Sequence, residues 1–294
     1  MRWLSDRGPG GILRAMDDAK RQVAALFSRV AREYDQAGVE FFSVFGEDLV
    51  GFVGVRLGER LLDVGSGRGA VTFPAARCVG ERGRVEAIDI APDMVNALRH
   101  DIERDHLSWV RVQVGDAEAP NVPAGSFDVV LASLVLFFLP DLQAALRAYR
   151  RVLRPGGRLG FTTFGETDAA WATWEAQLES YLPDNDPRTE QPGSEPEPRT
   201  DLLGSPASIR SALADAGYVD IQVEERRYPV RYGTGAAFVR WTQTTGLRSV
   251  WDSIPSVRRP QAERDLAAAA DQFRDVSGEL IEPVAIRFSK ATSP

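Results

Sequence analysis

LLDVGSGRGA, Leu61 to Ala70, is the stretch that decides the fold. Its first half is a short apolar run without polar alternation, as in a strand buried on both faces of a parallel sheet. Its second half sets glycines directly after that strand, where a tight turn feeds the start of a helix. Free backbone N–H groups and the helix dipole at such a start attract an anionic or carboxylate-bearing ligand. Gly65, Gly67 and Ala70 also satisfy the G-x-G-x-x-A dinucleotide pattern, so the loop alone leaves a nicotinamide or flavin enzyme open.

The neighbouring sequence repeats the alternation. Strand-like runs lie at VEAID (85–89), VRVQVGD (110–116), FDVVLAS (127–133) and RLGFTTF (158–164), with helical patterns near 70–79, 92–104 and 141–153. Short apolar, β-branched runs alternating with helices predict βαβ units. The fold class expected is α/β: a Rossmann-like, doubly wound, mostly parallel seven-stranded sheet with helical cap insertions. Two later strands, YVDIQVEER and PVAIRFSK, are assigned to the same sheet. Upstream, Val23, Leu26, Phe27 and Val30 recur at helical spacing.

The expected organisation is a disordered N-terminus at 1–15, a helical cap at 16–58 and a core at 59–165. A cap or lid insertion at 166–207 and a C-terminal part of the sheet with its own helical cap, 208–294, complete it. Prolines 183, 187, 192, 196 and 198 break regular structure between Trp174 and Ser208. A loop that long inside a domain is read as a lid over a pocket, against the alternative of a passive linker.

Composition narrows the function. The chain has 294 residues, 35 Lys plus Arg against 42 Asp plus Glu, and a formal net charge of −7. An acidic chain without a basic run repels phosphate backbones, so no nucleic-acid partner is expected. The longest apolar stretch, Val129 to Leu139, is far short of the roughly 20 residues a membrane helix needs, so no membrane partner is expected either. The single cysteine, Cys78, excludes an intrachain disulfide. With no signal-peptide core at the N-terminus, the cytoplasm is the expected location. Cys78 itself is read as a small buried residue of the core.

Three aspartates end successive strands or open the loops after them: Asp63 before the glycines, Asp89 after the second strand and Asp116 after the third. One such residue is ordinarily a turn or helix cap. Three along the carboxyl edge, where open α/β sheets bind ligands, point to a site. Asp89 can accept both hydroxyls of a ribose, and Asp116 can accept from an adenine amino group.

These residues resemble a known family. DVGSGRG, AIDIAPDM, VGDAEAP, FDVVLASLVLFFLPD and LRPGGRLGF, in that order, look like the successive motifs of class I S-adenosylmethionine (SAM)-dependent methyltransferases. The upstream FSRVAREYD is similar to the N-terminal helix of the ubiquinone/menaquinone branch. The resemblance covers roughly residues 20–165. It implies SAM as cofactor, with Gly65, Ser66 and Gly67 along the methionyl part and Asp63 nearby. It implies Asp89 and Ile90 on the ribose, and Met94, Asp116 and Ala117 about the adenine. Ser133 would meet the amino-acid end and Tyr34 would close over it.

A narrower resemblance joins YDQAGVEFF, GFTTFG and a late W-x-x-x-x-G-L-R-x-x-W segment to methyltransferases of specialised metabolism, some acting on indole carbon 3. Thr245 stands where those relatives often carry histidine, so no histidine base is implied. Other readings stay open: an O- or N-methyltransferase on a phenol, quinone or amine, an NAD(P)-dependent reductase, and a SAM-binding protein without activity.

For the acceptor the sequence offers aromatic rings. Phe27, Phe41, Phe42, Phe137, Trp171, Trp174 and Trp241 are the expected lining for a small aromatic substrate, with Phe45 and Trp251 as further candidates. Tyr34 and Glu40 are the expected proton acceptors. The two histidines, His100 and His106, fall away from the expected pocket, and no Cys/His cluster suggests a metal.

Overall fold

In the computed structural model, residues 9–35, 38–184, 186 and 202–294 are described. The helices are α1 (Pro9–Val30), α2 (Phe42–Val53), α3 (Thr72–Val79), α4 (Pro92–Arg104), α5 (Leu142–Val152), α6 (Ala169–Glu179), α7 (Pro206–Asp215), α8 (Gly235–Thr242), α9 (Arg248–Ser253) and α10 (Arg259–Asp271). The strands are β1 (Arg60–Val64), β2 (Arg84–Asp89), β3 (Val110–Val114), β4 (Phe127–Ser133), β5 (Leu153–Phe164), β6 (Val219–Arg231) and β7 (Ile281–Thr292). They form one seven-stranded sheet in the order β3-β2-β1-β4-β5-β7-β6. The pairs from β3 through β5 are parallel, whereas β7 runs antiparallel to both β5 and β6. The expected Rossmann-like sheet is present, with this one reversed strand.

Successive side chains of a strand point to opposite faces, and the core divides accordingly. Leu61, Val129 and Leu131 join α2, α3 and α4 on one side. Leu62, Val130 and Ala132 join α5 and α7 on the other. Both faces of β1 and β4 are therefore covered, which is why their sequences lack alternation. Strand order reverses between β1 and β4, and the crevice that opens at the carboxyl ends there positions the site.

Helix α2 sits so close to the turn after β1 that a Cβ on Gly46 would lie 2.0 Å from the Ala70 carbonyl oxygen. Gly46→Ala adds helix propensity of about 1 kcal/mol. The backbone clash outweighs it, as overpacking costs about 1–3 kcal/mol and occasionally more. A urea unfolding midpoint below that of the wild type is expected, and an unchanged midpoint would deny this close approach.

Two expectations about the ends of segments change. Helix α1 begins at Pro9, ahead of the Met16 start, so residues 9–15 are helical rather than disordered; residues 1–8 lie outside the described ones. The segment 235–253, whose sequence predicts a helical stretch, breaks into α8 and α9 around a turn at Thr244–Leu247. Most of the expected lid, Asp184–Pro198, lies outside the described residues. Among the described residues no helix is long and apolar enough to cross a membrane.

Candidate active site

The turn after β1 is held by its neighbour strand: the Gly65 and Ser66 amides donate to the Ile88 carbonyl at 2.8 and 3.0 Å. Gly65 and Gly67 adopt left-handed φ values of 68° and 50°, a region glycine enters without steric cost. The two glycines serve different ends. A Cβ on Gly65 would meet Val135 Cγ2 at 2.4 Å, whereas one on Gly67 meets nothing nearer than Tyr34 Cε1 at 3.9 Å. Gly65 makes room for packing, and Gly67 faces open space.

That space is a cavity of about 90 Å³ at the carboxyl ends of β1, β2 and β4. Tyr34, Gly65, Gly67, Asp89 and Ile90, all named from the sequence, line it. So do Met94, Asp116, Ala117 and Ser133. Asp89 is 8% exposed; its Oδ2 accepts from the Gly67 amide and its Oδ1 from the Ala91 amide, both at 2.8 Å. Burial raises its carboxyl above the usual range, with the Ala91, Gly67 and Ile90 amides pulling the other way. The sequence reading missed Lys20 on α1, whose ammonium donates to Asp116 Oδ2 at 2.8 Å and pairs with Glu118. Nothing in its sequence position connects it with β3.

Asp63 and Ser66, both expected along the cofactor, do not line this cavity. Asp63 is buried beneath the loop, where it accepts from Thr72 Oγ1 at 2.5 Å. Ser66 is buried with its Oγ lacking a protein partner. Burial pushes the Asp63 carboxyl up to about 7, helped by the nearby Asp89 charge and opposed by Thr72. The folded chain thus holds this proton more tightly than the unfolded chain, and ionisation works against folding. The contribution of Asp63 to stability is full below its ordinary range and declines as pH rises towards about 7. Asp63→Asn keeps the acceptor for Thr72 and removes the titration. Urea midpoints across that interval should fall more steeply for the wild type than for the variant, and parallel profiles would contradict the assignment.

A second cavity, of about 380 Å³, adjoins the first and shares Phe27, Tyr34, Leu134 and Phe138 with it. All seven expected aromatics line it: Phe27, Phe41, Phe42, Phe137, Trp171, Trp174 and Trp241. Long-range ring contacts assemble the wall, with Phe41 against Trp241 at 4.7 Å and Tyr34 stacked on Phe42 at 4.7 Å. Phe45 and Trp251 stay in the core instead, Trp251 donating its indole N–H to Thr242 Oγ1 at 3.0 Å.

The expected proton acceptors do not fit. Glu40 is exposed and lines neither cavity. Burial drives the Tyr34 phenol far above its ordinary value, with the charges of Asp35 and Asp89 adding to it. Tyr34 therefore holds its proton more tightly than a free phenol does, which disfavours ionisation of its hydroxyl. Cys78 is exposed, next to Arg77 on the outer side of α3, not a core residue. The sequence reading missed Glu175 and Glu282, the latter accepting from the Tyr232 hydroxyl through Oε2 at 2.6 Å. Burial raises both, and Glu282 reaches about 7 with the Glu175 charge contributing.

Residues 62–161 match a family described as a methyltransferase domain. Over 260 residues the chain is 37% identical to nocamycin O-methyltransferase of Saccharothrix syringae, covering 86% of this chain and 90% of that protein. It is 45% identical over 144 residues to the aklanonic acid methyltransferase DauC of Streptomyces sp. strain C5, covering 49% of this chain and 66% of that one. Among solved structures, the YcgJ protein of Bacillus subtilis superposes with a TM-score of 0.55 at 18% identity, over 84% of this chain and 97% of that one. This last likeness is one of fold. The dinucleotide reading of the glycine pattern gives way here, because the 37% identity extends well beyond the glycine loop. A chain related over that length belongs to the class I SAM-dependent methyltransferases and is an enzyme of that family.

Proposed function

We propose that the smaller cavity holds SAM and that the larger one holds a small aromatic metabolite, which receives the methyl group on an oxygen. The adjoining of the two cavities through four shared residues carries this reading. The residues suit the cofactor's chemistry. Gly67 leaves a cradle that any side chain would fill, and acidic groups stand where hydroxyls and an amino group need acceptors. Bound SAM supplies a methyl group already activated on a sulfonium.

The chain's own task is then orientation and dryness. Asp89 would fix the ribose, Met94 would pack near the adenine, and Asp116 would share an oxygen between Lys20 and the adenine amino group. Phe27, Tyr34, Leu134 and Phe138 stand between the two cavities, where they exclude water and set the angle of approach to the methyl. Such pre-orientation contributes on the order of 7–11 kcal/mol at best. A hydroxyl acceptor must lose its proton, and the larger cavity, lined by four carboxylate side chains, offers acceptors for it.

The name of the 37% identical relative supports oxygen as the acceptor. The wall of Trp and Phe rings supports a second reading, methylation of indole carbon 3, in which the ring supplies the electrons and a carboxylate accepts the indole N–H. Incubation of the enzyme with SAM and a panel of phenols, enols and indoles tests both. Mass spectrometry detects the methylated product, and NMR places the new methyl on oxygen or carbon. Formation of no methylated product from any member would defeat the reading of the larger cavity.

A further inference from the structure

The larger cavity is lined by four carboxylate side chains, Glu166, Asp168, Glu175 and Glu282, and among its described residues by no lysine, arginine or histidine. Asp168 is occupied as the cap of α6, accepting from the Ala170 amide at 3.0 Å; Glu166 and Glu175 are both exposed, whereas Glu282 is half-buried. Glu175, on α6, and Glu282, on β7, line the same cavity, and the Glu175 charge adds to the burial that raises the Glu282 carboxyl. Tyr232 satisfies one oxygen of Glu282. Trp241 offers an independent sign of a missing guest: it lines the cavity, is only 6% exposed, and its indole N–H has no partner among the described residues, a donor that calls for an acceptor atom on the guest's body rather than for its ammonium. A buried polar group is ordinarily satisfied.

Like charges in one apolar chamber are costly to ionise together. A cationic guest relieves that repulsion, and the faces of Trp171, Phe238 and Trp241 favour it further through their ring quadrupoles. A carboxylate guest would add a further negative charge with no cation in the lining to meet it. Taking the larger cavity as the acceptor site, as argued above, we propose that the acceptor carries a protonated amine on its aromatic body and that Glu282 and Glu175 bind that amine. The two residues then determine specificity for charge, while the rings select for an aromatic body.

The test uses the full-length enzyme saturated with S-adenosylhomocysteine (SAH) and three probes of similar size and different charge: tryptamine, tryptophol and indole-3-propionate. Calorimetry or intrinsic fluorescence reads their affinities. Tryptamine should bind at least about tenfold more tightly than tryptophol, the effect of one charge-assisted hydrogen bond, and indole-3-propionate should bind most weakly. Glu282→Gln and Glu175→Gln should each shrink the tryptamine preference, and the double variant should erase it. SAH affinity, measured in the same proteins, should stay unchanged, which also shows that the variants are folded. Equal or absent binding of the three probes, a preference for the neutral or anionic one, or a tryptamine preference that survives in the double variant would overturn the proposal while leaving the cofactor site standing. Failure of the wild-type protein to bind SAH would bring down the cofactor site and this proposal together.

Discussion

Gly67→Val is expected to abolish SAM binding while leaving the fold in place. Gly67 has φ at 50°, and among the described residues the only atom within 4 Å of a Cβ built there is Tyr34 Cε1 at 3.9 Å. A valine would therefore meet no packed core and would project into the smaller cavity. Holding a side chain in the left-handed region costs on the order of 1–3 kcal/mol, enough to lower the melting temperature by several degrees. The far-UV circular dichroism should remain near that of the wild type. Calorimetric titration with SAM should show no heat of binding. The same substitution at Gly65 would be a poorer probe, since its Cβ would strike Val135 and disturb packing as well. Tight binding by the Gly67 variant would remove this loop from the cofactor site.

Asp89→Ala should weaken SAM binding by at least about tenfold. Charge-assisted hydrogen bonds contribute about 1.5–3 kcal/mol each, and tenfold corresponds to about 1.4 kcal/mol, so the loss of two to a ribose would approach several hundredfold. The carboxylate also ties the Gly67 and Ala91 amides together, so the variant loses loop order as well. Asp89→Asn separates the two effects. Its single carbonyl oxygen can still accept one of those amides, and its SAM affinity should fall between wild type and alanine. Unchanged affinity in both variants would exclude Asp89 from holding the ribose.

The smaller cavity was legible because its residues lie in short motifs at consecutive strand ends, where the fold itself places them at one edge. Adjacency in sequence also misled. Asp63 and Ser66 flank the correct glycines, yet β1 is buried along Leu61–Val64 and Asp63 turns beneath the loop towards Thr72. The reversed direction of β7 has no local signature, since an apolar run reads the same either way. Glu282 on that strand and Glu175 on α6 were invisible for a related reason: neither belongs to a local motif, and only the tertiary fold brings them to one chamber. The aromatic wall succeeded where these failed because large rings signal a cavity or a core by themselves. Phe45 and Trp251 show that the sequence could not separate the two outcomes.

Helix α1 contributes Lys20 and Val23 to the smaller cavity and Phe27 to both. A helix gripped by two ligands makes their affinities reciprocal: the factor by which SAH tightens an aromatic guest equals the factor by which the guest tightens SAH. Evolution meets an asymmetry here. With SAM in the smaller cavity and the acceptor in the larger, as proposed, a mutation at Phe27 or Tyr34 that admits a new acceptor would disturb the cofactor as well, whereas Glu175, Trp241 and Glu282 line the larger cavity alone. On that assignment, changes of acceptor choice fall most simply on α6, α8 and β7, which line the larger cavity and not the smaller one.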